Sequence, residues 1–189
     1  MRGQMTGMLL GLLLCASSAQ AQWSIHGGIA DYDDFGSGAR AGVGWAWSEW
    51  STARLEIDAG DDIRRYELSA DFELIEHHRN RLIAGVGYEF WELDFDTTDP
   101  FTLNPVSFTL EDDFPTVFLR IEHEFSDRLL ATAQFKRLDF DRIDADDNMT
   151  AVGLEWRLEG SLSFSGGVSH YQGLEDDQNF ISLGVRWAF

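Results

Sequence analysis

The sequence predicts an all-β fold, an antiparallel up-and-down barrel of about ten strands, and three observations carry that prediction. Apolar side chains recur at every second residue through most of the chain, so each segment has two faces of opposite character. No segment keeps a helical period over a useful length. Turn-forming residues punctuate the alternation at regular intervals, and tight connections alternate with longer ones.

Residues 1–21 precede the first strand. They begin with an arginine near the start, continue through an apolar run from Met8 to Ala16 and end on Ala19-Gln20-Ala21. This is the layout of a secretory signal peptide with a small-residue cleavage site, and its apolar run is too short to span a bilayer. Cleavage leaves 22–189 as one barrel domain. That domain lacks Cys15, the single cysteine of the chain, so neither a disulfide nor a thiolate metal site is expected.

The ten strands follow in order. Trp23 to Tyr32 is the first; Ala39, Ala41, Val43, Trp45 and Trp47 mark the second; Ala53, Leu55, Ile57 and Ala59 the third. Tyr66, Leu68, Ala70, Phe72 and Leu74 mark the fourth, and Leu82, Ala84, Val86, Tyr88 and Phe90 the fifth. The sixth runs through Val117, Leu119, Ile121, His123 and Phe125, the seventh through Leu129, Ala131, Ala133 and Phe135. Thr150, Val152, Leu154, Trp156 and Leu158 mark the eighth, Leu162, Phe164, Gly166, Val168 and His170 the ninth, and Phe180 to Phe189 the tenth. Eight strands is the alternative if the first pair is miscounted. Ser48 to Ser51, Glu76 to Asn80, Ser126-Asp127 and Glu159-Gly160 read as tight turns, whereas Asp96 to Asp112 and Asp141 to Asn148 read as longer loops.

The residues between the apolar stripes bear on which solvent lies where. Facing away from the stripes are Arg40, Arg54, Glu56, Asp58, Arg65, Glu67, Asp71, Glu73, Glu89, Arg120, Glu122, Glu124, Lys136, Glu155, Arg157 and Arg186, seven cations with nine anions. A soluble lipocalin-like barrel would turn these outward; a barrel in lipid would turn them into the lumen. Two features favour lipid: short connections alternate with long ones, and Trp23, Trp45, Trp47, Phe72, Phe125, Trp156, Trp187 and Phe189 gather toward the tight-turn side, as in an interfacial girdle. A net charge of −19 argues against nucleic acid as partner, and 13% aromatic residues with 3 prolines argue against disorder.

The final stretch ISLGVRWAF places Ile181, Leu183, Val185, Trp187 and Phe189 in alternation, with an aromatic third from last and a terminal phenylalanine. It resembles the C-terminal assembly signal of small Gram-negative outer-membrane β-barrel proteins, the OmpA/OmpX-type membrane barrels. The resemblance implies export to the periplasm, chaperone escort, insertion by the barrel assembly machinery, and outer-membrane lipid and lipopolysaccharide as surroundings.

For function, opposite charges on one face predict an ion-paired lumen, closed or very narrow, because an unpaired charge there is costly. A non-enzymatic envelope role is the first expectation. A small solute channel is the second, with a polar passage beside Gly42, Gly44, Gly85, Gly87, Gly153, Ser163, Ser165, Gly167, Ser182 and Gly184. The stretch GVSHYQGLEDDQNF gives a third. Around His170 it is similar to the lipid A deacylase barrels, but Gln172 stands where that family has its serine and Gly173 where it has an asparagine. No cofactor is expected. The acidic loops offer oxygen ligands through which Ca²⁺ or Mg²⁺ would bridge to lipopolysaccharide phosphates, although none has the full calcium-loop spacing. His77 and His78, beside Glu76 in a tight turn, read as solvating that turn.

Overall fold

The computed structural model describes residues 22–98, 104–140, 145–158, 161–172 and 177–189. The signal segment and the Glu159-Gly160 turn lie outside the described residues. The strands are β1 (Gln22–Asp31), β2 (Ser37–Ser48), β3 (Ser51–Gly60), β4 (Ile63–His77), β5 (Asn80–Thr98), β6 (Pro105–Ser126), β7 (Leu129–Phe140), β8 (Ala145–Arg157), β9 (Leu162–Gln172) and β10 (Gln178–Ala188), with one 3₁₀ turn at Asp33–Phe35. Each strand pairs antiparallel with its chain neighbours, and β1 closes on β10, so the sheet is a closed barrel of ten strands.

An even strand number returns the chain to the end at which it started. Trp23 and Phe189 exchange backbone hydrogen bonds of 2.9 and 2.8 Å there. This is also the end of the two-residue turns Glu49-Trp50, His78-Arg79 and Asp127-Arg128. A register shift accompanies each of them, between Ala46 and Ser48, Glu73 and Ile75, and Glu124 and Ser126. Such bulges increase local twist where a strand must turn back.

The pleat sorts the side chains. Ile29, Val152 and Leu183 are 64%, 61% and 59% exposed, while Glu89 and Asp58 are 0% and 1% exposed. Apolar side chains therefore cover the outer wall and charges fill the inside, the reverse of a soluble barrel. At the turn end Trp23 stacks on Trp45 at 5.7 Å, Trp45 and Trp47 meet edge to face, and Trp187 lies 5.4 Å from Phe189. The Trp187 indole N–H donates to Ser161 Oγ at 2.8 Å, the wet contact that suits a ring at an apolar–polar boundary.

Both expected long loops are shorter than the sequence suggests. Asp96 to Asp112 is mostly strand: β5 continues to Thr98 and β6 begins at Pro105, with Thr98 opposite Pro105. Phe95 stacks on Phe108 at 5.2 Å, Thr109 Oγ1 donates to Asp94 and Ser107 Oγ donates to Asp96, each at 2.6 Å. These cross-strand pairs outweigh the low strand propensity of the acids and prolines. Asp141 to Asn148 is likewise overtaken by strand from Ala145, which stands opposite Phe140; residues 141–144 lie outside the described residues.

Candidate functional site: a charged lumen beneath an aromatic cluster

The charged residues reach the lumen from facing strands, and strand register explains who meets whom. Glu56, Glu67 and Glu89 stand directly opposite one another on β3, β4 and β5. Three like charges in one row would repel. Lys136 reaches across from β7 and places Nζ 2.7 Å from both Glu67 and Glu89. Arg65 lies 3.6–3.7 Å from Glu56, Glu67 and Glu89, and its Nε donates to Asp58 at 2.7 Å. Arg40 donates to the other Asp58 oxygen at 2.6 Å.

A second group lies toward the turn end. Arg120 and Arg54 both reach Asp71 Oδ2, at 2.6 and 2.7 Å, and Arg120 Nε is 3.0 Å from Glu122. Arg157 bonds Glu124 at 2.8 Å, and Arg186 lies 3.5 Å from Glu155. Arg81, which the sequence pattern did not single out, meets Glu122 at 2.8 Å. His26 adds an imidazole 3.6 Å from Glu56. Glu73 lines the wall of the cavity at the turn end.

Above the ion pairs, at the end away from the turns, the lumen is filled by apolar side chains. Tyr32, Phe35, Trp91, Phe114, Leu138, Met149, Tyr171 and Phe180 belong to one buried cluster. Trp91 lies 5.5 Å from Tyr171, and Tyr171 lies 4.5 Å from Phe180. The 3₁₀ turn carries Phe35 into this mouth against Phe95. Burial, then the neighbouring Asp58 carboxylate, pushes the Tyr32 phenol up. The two layers are bonded together: Trp91 Nε1 donates to Glu89 at 2.7 Å and Arg65 Nη1 donates to the Tyr171 hydroxyl at 3.1 Å.

The aromatic part of this filling was not anticipated from sequence, which pointed to ion pairs alone, although its signal is present. Trp91 follows Glu89 by two residues and Leu138 follows Lys136 by two, so both share the phase of the charges and must point inward.

Space remains below the plug. A cavity of about 600 Å³ opens at the turn end, between a charged wall that includes Arg54, Asp71, Glu122 and Arg157 and a wall of small residues that includes Gly44, Ser163, Ser165, Ser182 and Gly184. An inner chamber of about 180 Å³ lies toward the plug, with Met149, Ser169 and Tyr171 in its wall. Arg40, Arg54, Glu56, Arg120 and Gln134 border both spaces. At the other small residues neighbouring groups lie close: Phe118 at Gly85, His26 at Gly42, Thr116 at Gly87, Thr132 at Gly153, and the backbone of Val152 and Gly153 at Gly167.

His170 sits on the outer wall at the loop end. Its Nδ1 is 3.0 Å from Asn179 Oδ1 and its Nε2 is 3.7 Å from Asp177, whereas Ser169 turns into the inner chamber. His77 and His78 are exposed at their turn with rings 4.1 Å apart. Among the described residues no group of three or more His, Cys, Asp or Glu is arranged to hold a metal. Ile181, Leu183, Val185, Trp187 and Phe189 all face the outer wall on or just after β10.

No protein-family model matches the sequence, and no curated protein matches it either. Solved structures do match in fold. The outer membrane protease OmpT from Escherichia coli superposes with a TM-score of 0.56 at 11% identity, covering 89% of this chain and 96% of that one. The KdgM porin gives 0.53 at 14% identity, covering 88% and 99%. The NanC porin gives 0.53 at 10% identity, covering 87% and 98%. Porins and a protease share one architecture, so the likeness speaks to fold and not to chemistry. With its closed ten-stranded sheet, apolar outer wall and charged interior, the chain has the fold of the outer-membrane β-barrel proteins.

Proposed function

We propose that this protein is a non-enzymatic outer-membrane barrel whose lumen is closed, and that it serves the cell envelope through its surface. The turn end faces the periplasm and the loop end faces the medium. Outer-membrane lipid and lipopolysaccharide surround it, with divalent cations at the acidic loops bridging to phosphates. Periplasmic chaperones and the barrel assembly machinery deliver it, reading the alternation that ends at Phe189. The observation that carries the closed lumen is the aromatic cluster, with Phe114 and Trp91 0% and 1% exposed, bonded to the ion pairs beneath it.

A channel is the second reading, favoured by the 600 Å³ cavity that reaches the Arg40–Arg54–Arg120 layer from the turn end. Single-channel recording on residues 22–189 refolded into a planar bilayer separates the two, with folding checked by heat-dependent gel mobility. The expected result is a folded, silent barrel, and conductance steps once Trp91→Ala and Phe180→Ala are combined. Steps from the unmodified chain would install the channel reading, with Arg54, Arg120 and Glu122 as the residues that set ion selectivity.

A further inference from the structure

The β5–β6 hairpin outruns its neighbours. The last β4 partner of β5 is Ile63, opposite Leu93, and the first β7 partner of β6 is Leu138, opposite Thr116. From Pro105 to Leu110, β6 therefore has β5 as its only strand partner among the described residues. Among the described residues, a two-stranded ribbon thus rises from the loop end with the β7-side edge of β6 open.

The ribbon has two unlike faces. On the phase that faces the lumen lower down, Phe95 packs against the plug, Phe108 stacks on Phe95, and Phe108 and Val106 are 51% and 43% exposed. The plug's apolar surface thus continues out of the barrel and ends uncovered above the mouth. The opposite face carries Glu92, Asp94, Asp96, Glu111 and Asp113, with Arg64 bonded to Glu92. The whole chain has the same sign, with a formal net charge of −19.

We propose that this ribbon is a docking edge for an extended, cationic, amphipathic polypeptide segment that adds to β6 as a further strand. Strand addition satisfies the open backbone edge and forces the incoming side chains to alternate between the ribbon's two faces. A segment with alternating apolar and basic residues then sets its apolar side chains beside Val106 and Phe108, and its long cationic side chains reach over Ser107 and Thr109 toward Asp94 and Asp96 on β5. Charge selects the occupant. A second copy of this chain would bring its own aspartates against these, and like charges directly opposed repel. The proposal rests on the loop end being the displayed face, and it is independent of whether the lumen conducts.

The test uses residues 22–189 refolded into zwitterionic phosphatidylcholine nanodiscs and a labelled synthetic peptide of alternating lysine with valine and phenylalanine. Two reference peptides replace the apolar residues by serine or the lysines by glutamate. Fluorescence anisotropy should show binding of the lysine–valine–phenylalanine peptide beyond that to empty discs. Phe108→Ser, and separately Asp94→Asn with Asp96→Asn, should each weaken it by about tenfold or more, with folding verified by heat-dependent mobility. Neither reference peptide should match it. Binding no better than to empty discs, or equal binding by the Phe108→Ser variant, overturns the proposal. Concentration-dependent self-association lost in that variant does so too, by making a second copy the occupant. A silent barrel that fails to bind would leave the closed lumen standing and remove only the docking edge.

Discussion

Lys136 concentrates the electrostatics of the lumen in one side chain, because its ammonium lies 2.7 Å from two carboxylates that strand register places side by side. Replacing it by methionine keeps the stem and removes the charge. Lys136→Met is expected to destabilise the folded barrel by about 3–5 kcal/mol, the usual cost of leaving a buried charge without its partner. Adding Glu67→Gln and Glu89→Gln should recover most of that loss, and urea titration of intrinsic fluorescence in detergent measures both. Leu119 and Arg120 are adjacent in sequence and opposite in environment, 44% and 7% exposed. Leu119→Arg should cost about 2–4 kcal/mol of membrane-inserted stability, as for a cation on the lipid face near the midplane. At this scale the inward phase of each charge was legible, since a period of two admits only two faces. The identity of each partner was not, because Lys136 meets Glu67 from a strand far away in sequence.

Among the elements, β1 and β10 form the seam, and Gly28 stands opposite Gly184 there. A Cβ on Gly28 would lie 2.2 Å from the Leu183 carbonyl oxygen, whereas one on Gly27 meets nothing nearer than 3.8 Å. Gly28→Ala should therefore reduce the folded, heat-modifiable fraction, and Gly27→Ala should leave it unchanged, as read by gel mobility after refolding. Strand existence and order were readable from alternation across all ten elements. Strand ends were not: the acids and prolines between Asp96 and Asp112 carry loop propensity, yet cross-strand pairs such as Phe95 with Phe108 hold the segment as a ribbon. Propensity is local, and those pairs are a property of two segments at once.

The molecule as a whole is divided along its axis, with aromatic side chains at the loop end, ion pairs in the middle and open space at the turn end. Charge on the inward phase predicted the middle layer and left the ends undetermined. Counting inward positions that are apolar, among them Trp91, Phe114, Leu138, Met149, Tyr171 and Phe180, would have shown the plug in advance. The conductance recordings address this scale: the intact chain silent, the Trp91→Ala and Phe180→Ala combination conducting. A barrel that stayed silent with both rings removed would shift the barrier to the layer of Arg40, Arg54 and Arg120.

The seam also sets a timetable. Its pairings join the most distant parts of the chain, Trp23 with Phe189, and none of the other ladders can make the sheet edgeless without it. Contacts of such large sequence separation form late, after the loop-closure entropy of everything between them has been met. Until then two apolar edges stand open at once, and the polypeptide is at its most vulnerable to clumping with its neighbours. Closure, more than any single strand, is therefore the step expected to set the pace of folding.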